Sequence, residues 1–328
     1  MKPETDNALL LANRLDDAFF PELPNHYRGK VRDAYDLPDG RRIMIATDRQ
    51  SAFDVVLASV PLKGQVLTQT AKFWFEKTAD ICPNHVISFP DPNVTVARRL
   101  DMLPIEIVVR DYLTGSTDTS IWKMYEAGSR EVYGHPLPDG LRKNDKLAST
   151  IITPTTKAEV GGHDAPITAA EIVATGILSQ ERWDELARLS LALFARGREI
   201  AAEHGLILVD TKYEFGTDAD GSFVLADEAH TPDSSRYWRA SSYTGRHAAG
   251  QEPENLDKEF LRLWVSARCD PYTEPVPEIP DETLIEFSGK YVTLFETVTG
   301  LPFTTTDMTV PVRDRIRAAL AREFPEYF

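Results

Sequence analysis

The chain has 328 residues, 42% of them hydrophobic, so it can bury a large core in one domain or in two closely joined domains. Its formal net charge of −15 disfavours unspecific binding to nucleic acid. No apolar run reaches the length of a membrane span, the first residues lack the layout of a signal peptide, and the two distant cysteines suit a reducing compartment. We expect a soluble cytoplasmic enzyme that binds neither nucleic acid nor membrane.

In chain order, the first cluster of charged residues follows His26. Gly29 is followed by Lys30 and Arg32, between two stretches that favour β-structure. This pattern is typical of a strand–turn–strand flap over phosphate groups. A surface hairpin whose cations lie along apolar neighbours is the more common explanation. The segment alone leaves both interpretations open.

A buried strand is predicted at 103–110, because LPIEIVVR is mostly apolar. Arg110 ends this strand, and a turn at Gly115 and Ser116 leads into a predicted helix at 118–127. An arginine beside a helix N-terminus is typical of an anion pocket. An arginine that caps the edge of its own sheet explains Arg110 equally well.

Two irregular segments are rich in polar residues. The first, DRQSAFD at 48–54, follows a short predicted strand. The second, from Gly128 to Pro166, contains Lys143 and the motif TPTTKA. An irregular connection of this length inside a compact enzyme is usually functional, often as a lid. A helix predicted from Ser179 to His204 then leads into the most informative stretch of the chain.

That stretch, from Leu206 to Trp238, begins with an apolar run typical of a strand buried on both faces. With the two-residue period of a strand, Asp210, Lys212 and Glu214 then share one face. A turn signal, DADG, follows, and the chain returns as a second strand that ends at Asp227. We therefore expect Asp227 close to Lys212 and Glu214, with three carboxylates and one amine on one face.

The charges of this predicted hairpin have two interpretations. A solvated face with internal ion pairs is the usual one for a charged strand. Here, however, the charges follow a core-type strand, and carboxylates with phosphates and water are the ligands that Mg²⁺ takes. A neighbouring lysine suits a phosphoryl group in transfer, and TPDSSR at 231–236 suits anion recognition. We favour a site for a nucleotide and a metal ion.

The rest of the chain is predicted to be largely helical. Helical patterns cover 256–267, 282–298 and 310–324, and a proline-rich stretch lies at 271–280. We find no Ser/His/Asp or Cys/His set that would serve as a nucleophilic triad.

Several of these segments together resemble the phosphoribosylaminoimidazole-succinocarboxamide synthase, or SAICAR synthetase, family. The two most specific are LPIEIVVRDYLTGS and LVDTKYEFG, and the others are GKVRDAY, DRQSAFD, KGQVLTQTAKFWF, TPTTKA and DEAHTPDSSRYW. All occur in the family's order, from Tyr27 to about Trp264. The long 128–166 segment and the chain after Asp270 resemble the longer branch of the family, as in fungi, and they leave the oligomeric state open, with a monomer as one possibility.

The resemblance implies a carbon–nitrogen ligase of de novo purine (IMP) biosynthesis. Its substrates are ATP, L-aspartate and carboxyaminoimidazole ribonucleotide (CAIR), and its products are SAICAR, ADP and phosphate, through an acyl phosphate, with Mg²⁺ as cofactor. The implied fold is α+β. It has a β-rich ATP-binding lobe at 1–112, distantly like that of kinases and ATP-grasp enzymes, which closes ATP against an α/β lobe at 113–270 for substrate and metal. A helical extension at 271–328 is expected to pack on the second lobe.

The resemblance also implies roles for individual residues. Lys212, near the transferred phosphoryl, and Asp210 are the expected catalytic residues. The nucleotide is expected to bind to Gly29, Lys30, Arg32, Glu214 and Asp227, the last two of which also bind Mg²⁺. The expected substrate-binding residues are Ser51, Asp54, Arg110, Ser116, Lys143, Ser235 and Arg236.

Two other functions are compatible with a phosphate flap. A small-molecule kinase would stop at phosphoryl transfer, but it would be expected to carry a G-x-G-x-x-G loop and an H-R-D segment, and the sequence has neither. A nucleotide-binding regulatory protein would keep the flap without needing a lysine and two carboxylates on one strand face. Phosphate release that depends on both aspartate and the imidazole nucleotide would separate the three.

Overall fold

A computed structural model of the chain shows an α+β fold, as the sequence predicts, and describes residues 7–53, 55–117, 120–157, 164–271 and 273–328. In chain order the elements are α1 (Asn7–Ala12), β1 (His26–Arg28), β2 (Arg32–Asp36), β3 (Arg41–Ala46), β4 (Arg49–Ala52), β5 (Val55–Ser59), α2 (Lys63–Thr78), β6 (Val86–Asp91), β7 (Val94–Arg98), β8 (Asp101–Tyr112), α3 (Ile121–Glu126), β9 (Glu131–Val132), β10 (His135–Pro136), β11 (Lys146–Ile152), β12 (Thr155–Thr156), β13 (Ala165–Pro166), α4 (Ala169–Ala174), α5 (Gln180–Glu203), β14 (Leu206–Thr217), β15 (Phe223–Ala226), β16 (Ser235–Arg239), α6 (Ala240–Ala248), α7 (Glu259–Ser266), α8 (Asp281–Thr299) and α9 (Val312–Glu323). None of the helices among the described residues is both long enough and apolar enough to cross a bilayer.

The chain divides into two units. Unit 1 comprises the residues up to Phe73, His85–Arg99 and Leu256–Phe328. Unit 2 comprises Trp74–Asn84 and Leu100–Asn255.

Unit 1 is built on an antiparallel sheet. Within its described residues the strand order is β1-β2-β3-β7-β6. Strand β3 buries Ile43 and Ile45, because the two-residue period turns every second side chain to the same face. Helix α9 adds Val312, Ile316 and Leu320 to this core, at the four-residue spacing of one helix face.

A second core of unit 1 contains α8. Phe287 and Tyr291 of this helix pack with Val60, Val66 and Leu261. The apolar faces of α8 and α9 are thus satisfied inside unit 1, whereas the sequence analysis expects the 271–328 extension to pack on the second lobe. The expected boundaries also differ, because β8 pairs with β14 along most of its length and so belongs to unit 2 rather than to a 1–112 lobe.

Unit 2 is organised around β8 and β14, which lie side by side and antiparallel. Within the described residues the strand order is β13-β12-β8-β14-β15, while β11 also pairs with β8 and β16 with β14. Leu206, Leu208 and Val209 of β14 are buried, as their apolar run predicts. Helix α5, which starts after the predicted cap Ser179, packs against β14. The strand pair β8–β14 therefore carries its polar side chains on a rigid support.

Candidate active site

Two glutamates face each other across the centre of unit 2. The antiparallel register places Glu214 of β14 directly opposite Glu106 of β8. Like charges in such a pair destabilise a sheet unless cations bridge them. Lys212 Nζ donates to Glu106 Oε1 at 2.5 Å and to Glu214 Oε1 at 2.7 Å. Lys157 Nζ donates to the other Glu214 oxygen, Oε2. These four residues form the lysine–carboxylate cluster.

Lys212 and Glu214 are charged at neutral pH. Burial acts to lower the pKa of Lys212, but the charges of Glu214, Glu106 and Asp227 outweigh it and hold that pKa well above its usual value. Burial acts to raise the pKa of Glu214, but Lys212 and Lys157 hold it below the usual range of a carboxyl group. Lys212 is therefore a fixed ammonium rather than a proton donor.

Asp227 lies beside this cluster, as the hairpin pattern predicts. Strand β15 pairs Ala226 with Glu214, and Asp227 is the next residue. Its backbone turns there, with a φ of 57°, so the chain leaves the sheet at this point. The negative charge of Asp227 also helps to hold the pKa of Lys212 above its usual value.

Asp210 lies on the same strand face as Lys212 and Glu214, as predicted, but its ion-pair partners are two arginines. Its neighbours in the sheet are Arg110 of β8 on one side and Arg236 of β16 on the other. Both arginines donate through Nη1 to Asp210 Oδ2, at 2.8 Å from Arg110 and 2.5 Å from Arg236. Arg110 Nε also donates to Thr153 Oγ1 at 2.8 Å. Strand alternation predicts that Asp210 shares one face with Lys212 and Glu214, and the structure adds arginines from both neighbouring strands as its partners. Asp210, Arg110 and Arg236 together form the arginine triad.

The arginine triad carries more positive than negative charge. Burial lowers the pKa of Arg110, although the charge of Asp210 opposes this, and the second guanidinium, Arg236, adds to the lowering. Two guanidinium groups share one carboxylate oxygen, so the group keeps a net positive charge. Such an arrangement attracts an anionic ligand, for which arginine provides a planar set of donors.

The turn at Gly115 lies beside Arg236. Gly115 has a φ of +117°, and a Cβ at this position would lie 3.6 Å from Arg236 Nη2 and only 2.3 Å from Ser120 Cβ. The expected Ser116 follows this turn, and its buried hydroxyl has no hydrogen-bond partner among the described residues. Ser116 is not at a helix N-terminus, since α3 begins at Ile121 with Ser120 as its cap.

Ser235 and Lys143 make other contacts. Ser235 Oγ donates to Thr211 Oγ1 at 2.7 Å, because strand alternation turns it away from the side on which Arg236 meets Asp210. Lys143 Nζ donates to Glu252 Oε1 at 2.5 Å. It lines a cavity of about 150 Å³, whose lining is Arg142, Lys143, Asn144, His247, Gly250, Gln251 and Glu252. Neither residue contacts the lysine–carboxylate cluster or the arginine triad in the interactions described.

In unit 1, the expected phosphate flap is a tight hairpin between β1 and β2. Gly29 N donates to Arg32 O at 2.8 Å, and a Cβ on Gly29 would lie 2.7 Å from that oxygen. The close approach explains why glycine occupies the turn. Arg49 holds the hairpin, since its guanidinium donates to the carbonyls of Gly29 at 3.0 Å and Lys30 at 3.1 Å. Of the other residues expected in a site, Ser51 lies half-buried in β4, and Asp54 lies outside the described residues.

Three residues of these groups were missed in the sequence: Glu106, Lys157 and Arg49. A glutamate inside the apolar strand LPIEIVVR is itself a signal, because a buried carboxylate requires a partner. Lys157 lies in the motif TPTTKA, and Arg49 lies in DRQSAFD. Both motifs are visible in the sequence, but the partner of Lys157 lies 57 residues away, where no local pattern reveals it.

The metal-binding capacity of the cluster is limited. Among the residues that the structure describes, no group of three or more His, Cys, Asp or Glu side chains is arranged to hold a metal ion. Both Glu214 oxygens accept from lysines. A cation that takes one or two carboxylates and completes its shell with phosphate and water still fits Glu214 and Asp227. The residues present therefore suit a cation that arrives with a nucleotide.

Comparison with known proteins agrees with this arrangement. The SAICAR synthetase family profile matches residues 25–279. A putative phosphoribosylaminoimidazole-succinocarboxamide synthase 2 of Mesorhizobium japonicum is 60% identical over 310 residues, which cover 94% of this chain and 99% of that protein. The SAICAR synthase of Saccharomyces cerevisiae, solved in complex with SAICAR, matches with a TM-score of 0.76 at 30% identity and covers 89% of this chain and 100% of its own. A type-2 SAICAR synthetase solved with ADP matches with a TM-score of 0.66 at 24% identity, over 86% of this chain and 100% of its own, and supports the fold alone. The chain belongs to the SAICAR synthetase family.

Proposed function

We propose that the protein ligates L-aspartate to the carboxylate of CAIR at the expense of ATP, giving SAICAR, ADP and phosphate in de novo purine biosynthesis. The observation that carries the proposal is the placement of two charged groups on one strand. Lys212 and Asp210 are two residues apart on β14, which is about 7 Å along a strand. A cluster suited to a phosphoryl group thus lies next to a triad suited to an anionic nucleotide, and the ligation needs both.

The reaction requires activation because a carboxylate is a poor acylating agent. Transfer of the ATP γ-phosphoryl to a carboxylate oxygen of CAIR releases ADP and forms an acyl phosphate. The aspartate amine then attacks the carbonyl carbon, loses a proton, and expels phosphate together with that carboxylate oxygen. Positioning and charge neutralisation account for most of the rate in such transfers, so no nucleophilic side chain is needed.

Lys212 is the residue that we assign to the moving phosphoryl group. Its ammonium is held by Glu106 and Glu214 and remains protonated. A preorganised positive charge stabilises negative charge that develops during transfer without reorganising. Lys157, held by the same glutamate, supplies a second cation of the same kind.

The nucleotide and its metal ion are assigned to the residues expected from the sequence. In unit 1, Gly29, Lys30 and Arg32 are proposed to bind the phosphates of ATP, for which the hairpin carries two cationic side chains. In unit 2, Glu214 and Asp227 would hold Mg²⁺. When bound, Mg²⁺ neutralises charge on the phosphates.

The arginine triad is assigned to the anionic groups of the imidazole nucleotide. Asp210 holds both guanidinium groups in place before the ligand arrives. Gly115 has no side chain and lies close to Arg236. A ligand can therefore approach the Gly115 backbone and the Arg236 side chain together.

Replacing Arg236 by lysine tests this assignment. Lysine keeps the charge but loses the planar pair of donors, so the Michaelis constant for the imidazole nucleotide should rise about 10-fold, the effect of one lost charge-assisted hydrogen bond. The constant for ATP should not change. Arg239→Lys is the matched control, because Arg239 lies on the same strand and pairs with Glu254 at 2.9 Å. A rise in the ATP constant instead would mean that the triad serves the other nucleotide.

The function itself is tested by measuring phosphate release with each substrate omitted in turn. Ligation predicts release only when ATP, aspartate and the imidazole nucleotide are all present. Phosphoryl transfer that proceeds without aspartate would identify a kinase. Nucleotide binding with no turnover under any combination would identify a regulatory protein.

A further inference from the structure

Residues 227–234 form a loop that interrupts an otherwise continuous strand pairing. β15 and β16 both pair antiparallel with β14, through Glu214–Ala226 and Thr211–Ser235. Between these two pairs, β14 has only two residues, Lys212 and Tyr213, whereas the segment from β15 to β16 has eight, 227–234. In the loop, Asp227 and His230 have left-handed backbone conformations, with φ of 57° and 50°. Such conformations cost free energy in residues other than glycine, so neighbouring contacts must hold the loop in place.

His230 makes the contacts that hold this loop against β14. Its Nε2 lies 2.9 Å from Tyr213 Oη, and its side chain is fully buried. The ring lies 4.6 Å from the ring of Trp74, centroid to centroid. Tyr237 Oη donates to the His230 carbonyl at 2.7 Å. The loop is thereby fixed at its centre through both the side chain and the backbone of one residue.

Helix α5 forms part of the pocket that holds the His230 ring. A Cβ on Gly197 would lie 2.5 Å from His230 Cε1 and 2.7 Å from Leu208 Cδ2. The absence of a side chain at Gly197 is what leaves room for the imidazole ring. Glycine is less favourable than alanine in a helix interior, so its presence here is accounted for by the ring.

The anchor works with neutral groups. Burial lowers the pKa of His230 to about 3, with only a weaker opposing effect from the Leu193 backbone, so the ring is uncharged at neutral pH. Burial also raises the pKa of Tyr213 well above its usual value. The hydrogen bond therefore joins two uncharged groups and needs no counter-ion.

We propose that His230 is a positioning residue that, through Tyr213, fixes Asp227 beside Lys212 and Glu214 for binding of the metal–nucleotide. The proposal rests on the proposed function. Tyr213 lies between Lys212 and Glu214 in β14, so the anchor joins the loop to the backbone that carries both residues. Arg236 lies beyond the loop, in β16, and its own pairing with Asp210 holds it. Loss of the anchor should therefore affect the metal side and leave the arginine triad intact.

His230→Phe removes the hydrogen bond while keeping an aromatic ring in the site. Mn²⁺ serves as a paramagnetic substitute for Mg²⁺, and free Mn²⁺ is measured by electron paramagnetic resonance in the presence of ADP. We expect Mn²⁺ to bind about 10-fold more weakly or worse, as when a partner of a metal ligand is lost. The Michaelis constant for the imidazole nucleotide should stay at the wild-type value.

Tyr213→Phe removes the same hydrogen bond from the other partner and should weaken Mn²⁺ binding similarly. The double variant should be no weaker than either single one, because the two substitutions delete one interaction. Ile121→Val is the control for general destabilisation, since Ile121 is buried in unit 2 in a different cluster. Its Mn²⁺ affinity should match wild type.

Two results would overturn the anchor: unchanged Mn²⁺ affinity in both single variants, or an equal loss in Ile121→Val. Both results bear on the anchor only if the wild-type protein forms the amide product. Wild-type protein that binds Mn²⁺ with ADP but forms no product would instead reject the proposed function, so the two failures are distinguishable.

Discussion

Lys212→Met is expected to lower turnover by about 10²–10³-fold, the usual effect of removing one preorganised donor from a developing charge. Methionine keeps much of the volume and the apolar stem of lysine. Lys157 continues to neutralise Glu214, whereas Glu106, which is partly exposed, loses its lysine partner. Circular dichroism and thermal unfolding would check that the fold is retained. The measurement is the steady-state rate of product formation with all three substrates saturating.

Two further variants separate charge in the site from charge in general. Lys146→Met removes an exposed lysine of the same unit and should leave the rate unchanged. Lys212→Arg keeps the positive charge with a different shape and should recover only part of the rate, because the phosphoryl group needs the ammonium at one position. Full turnover in Lys212→Met would contradict the role given to this residue.

Asp227→Asn is the second substitution with a large expected effect. Removing one carboxylate from a metal–nucleotide site should cost several kcal/mol in the transition state, or on the order of 10³-fold in rate. Asparagine tolerates the left-handed backbone at this position, where φ is 57°, so the loop should keep its conformation. The rate should be measured over a wide range of Mg²⁺ concentrations.

Asp220→Asn provides the matched control for this experiment. Asp220 lies exposed in the turn of the same hairpin, where its side chain accepts from Ser222 N at 2.9 Å. This variant should have the wild-type rate and the wild-type dependence on Mg²⁺. Near-normal turnover of Asp227→Asn at saturating Mg²⁺ would remove Asp227 from the metal site.

Local sequence patterns were enough to predict strand β14 and the hairpin that it forms with β15. Strand alternation from Asp210 to Glu214 and the DADG turn correctly placed Asp227 beside Lys212. Glu106 escaped because its position opposite Glu214 depends on the pairing of β8 with β14, about a hundred residues apart in the chain. A long-range register of this kind leaves no periodic signal in either segment.

The same limitation explains why the arginine partners of Asp210 were not predicted. Alternation along β14 predicts which face Asp210 shares, but it does not reveal that an arginine lies opposite it on each neighbouring strand. The same limitation applies to the two C-terminal helices. Their periodicity predicts α8 and α9, but which core each apolar face joins depends on the shapes of surfaces far away in the sequence.

The central claim is that carboxylate phosphorylation precedes amide formation, and oxygen transfer tests it most directly. The imidazole nucleotide is prepared with ¹⁸O in its carboxylate and followed through a single turnover with ATP and aspartate. Activation through an acyl phosphate predicts that one labelled oxygen appears in the released phosphate, since that oxygen leaves with the phosphoryl group. Released phosphate that carries no label would contradict this order of events and, with it, the role assigned to Lys212.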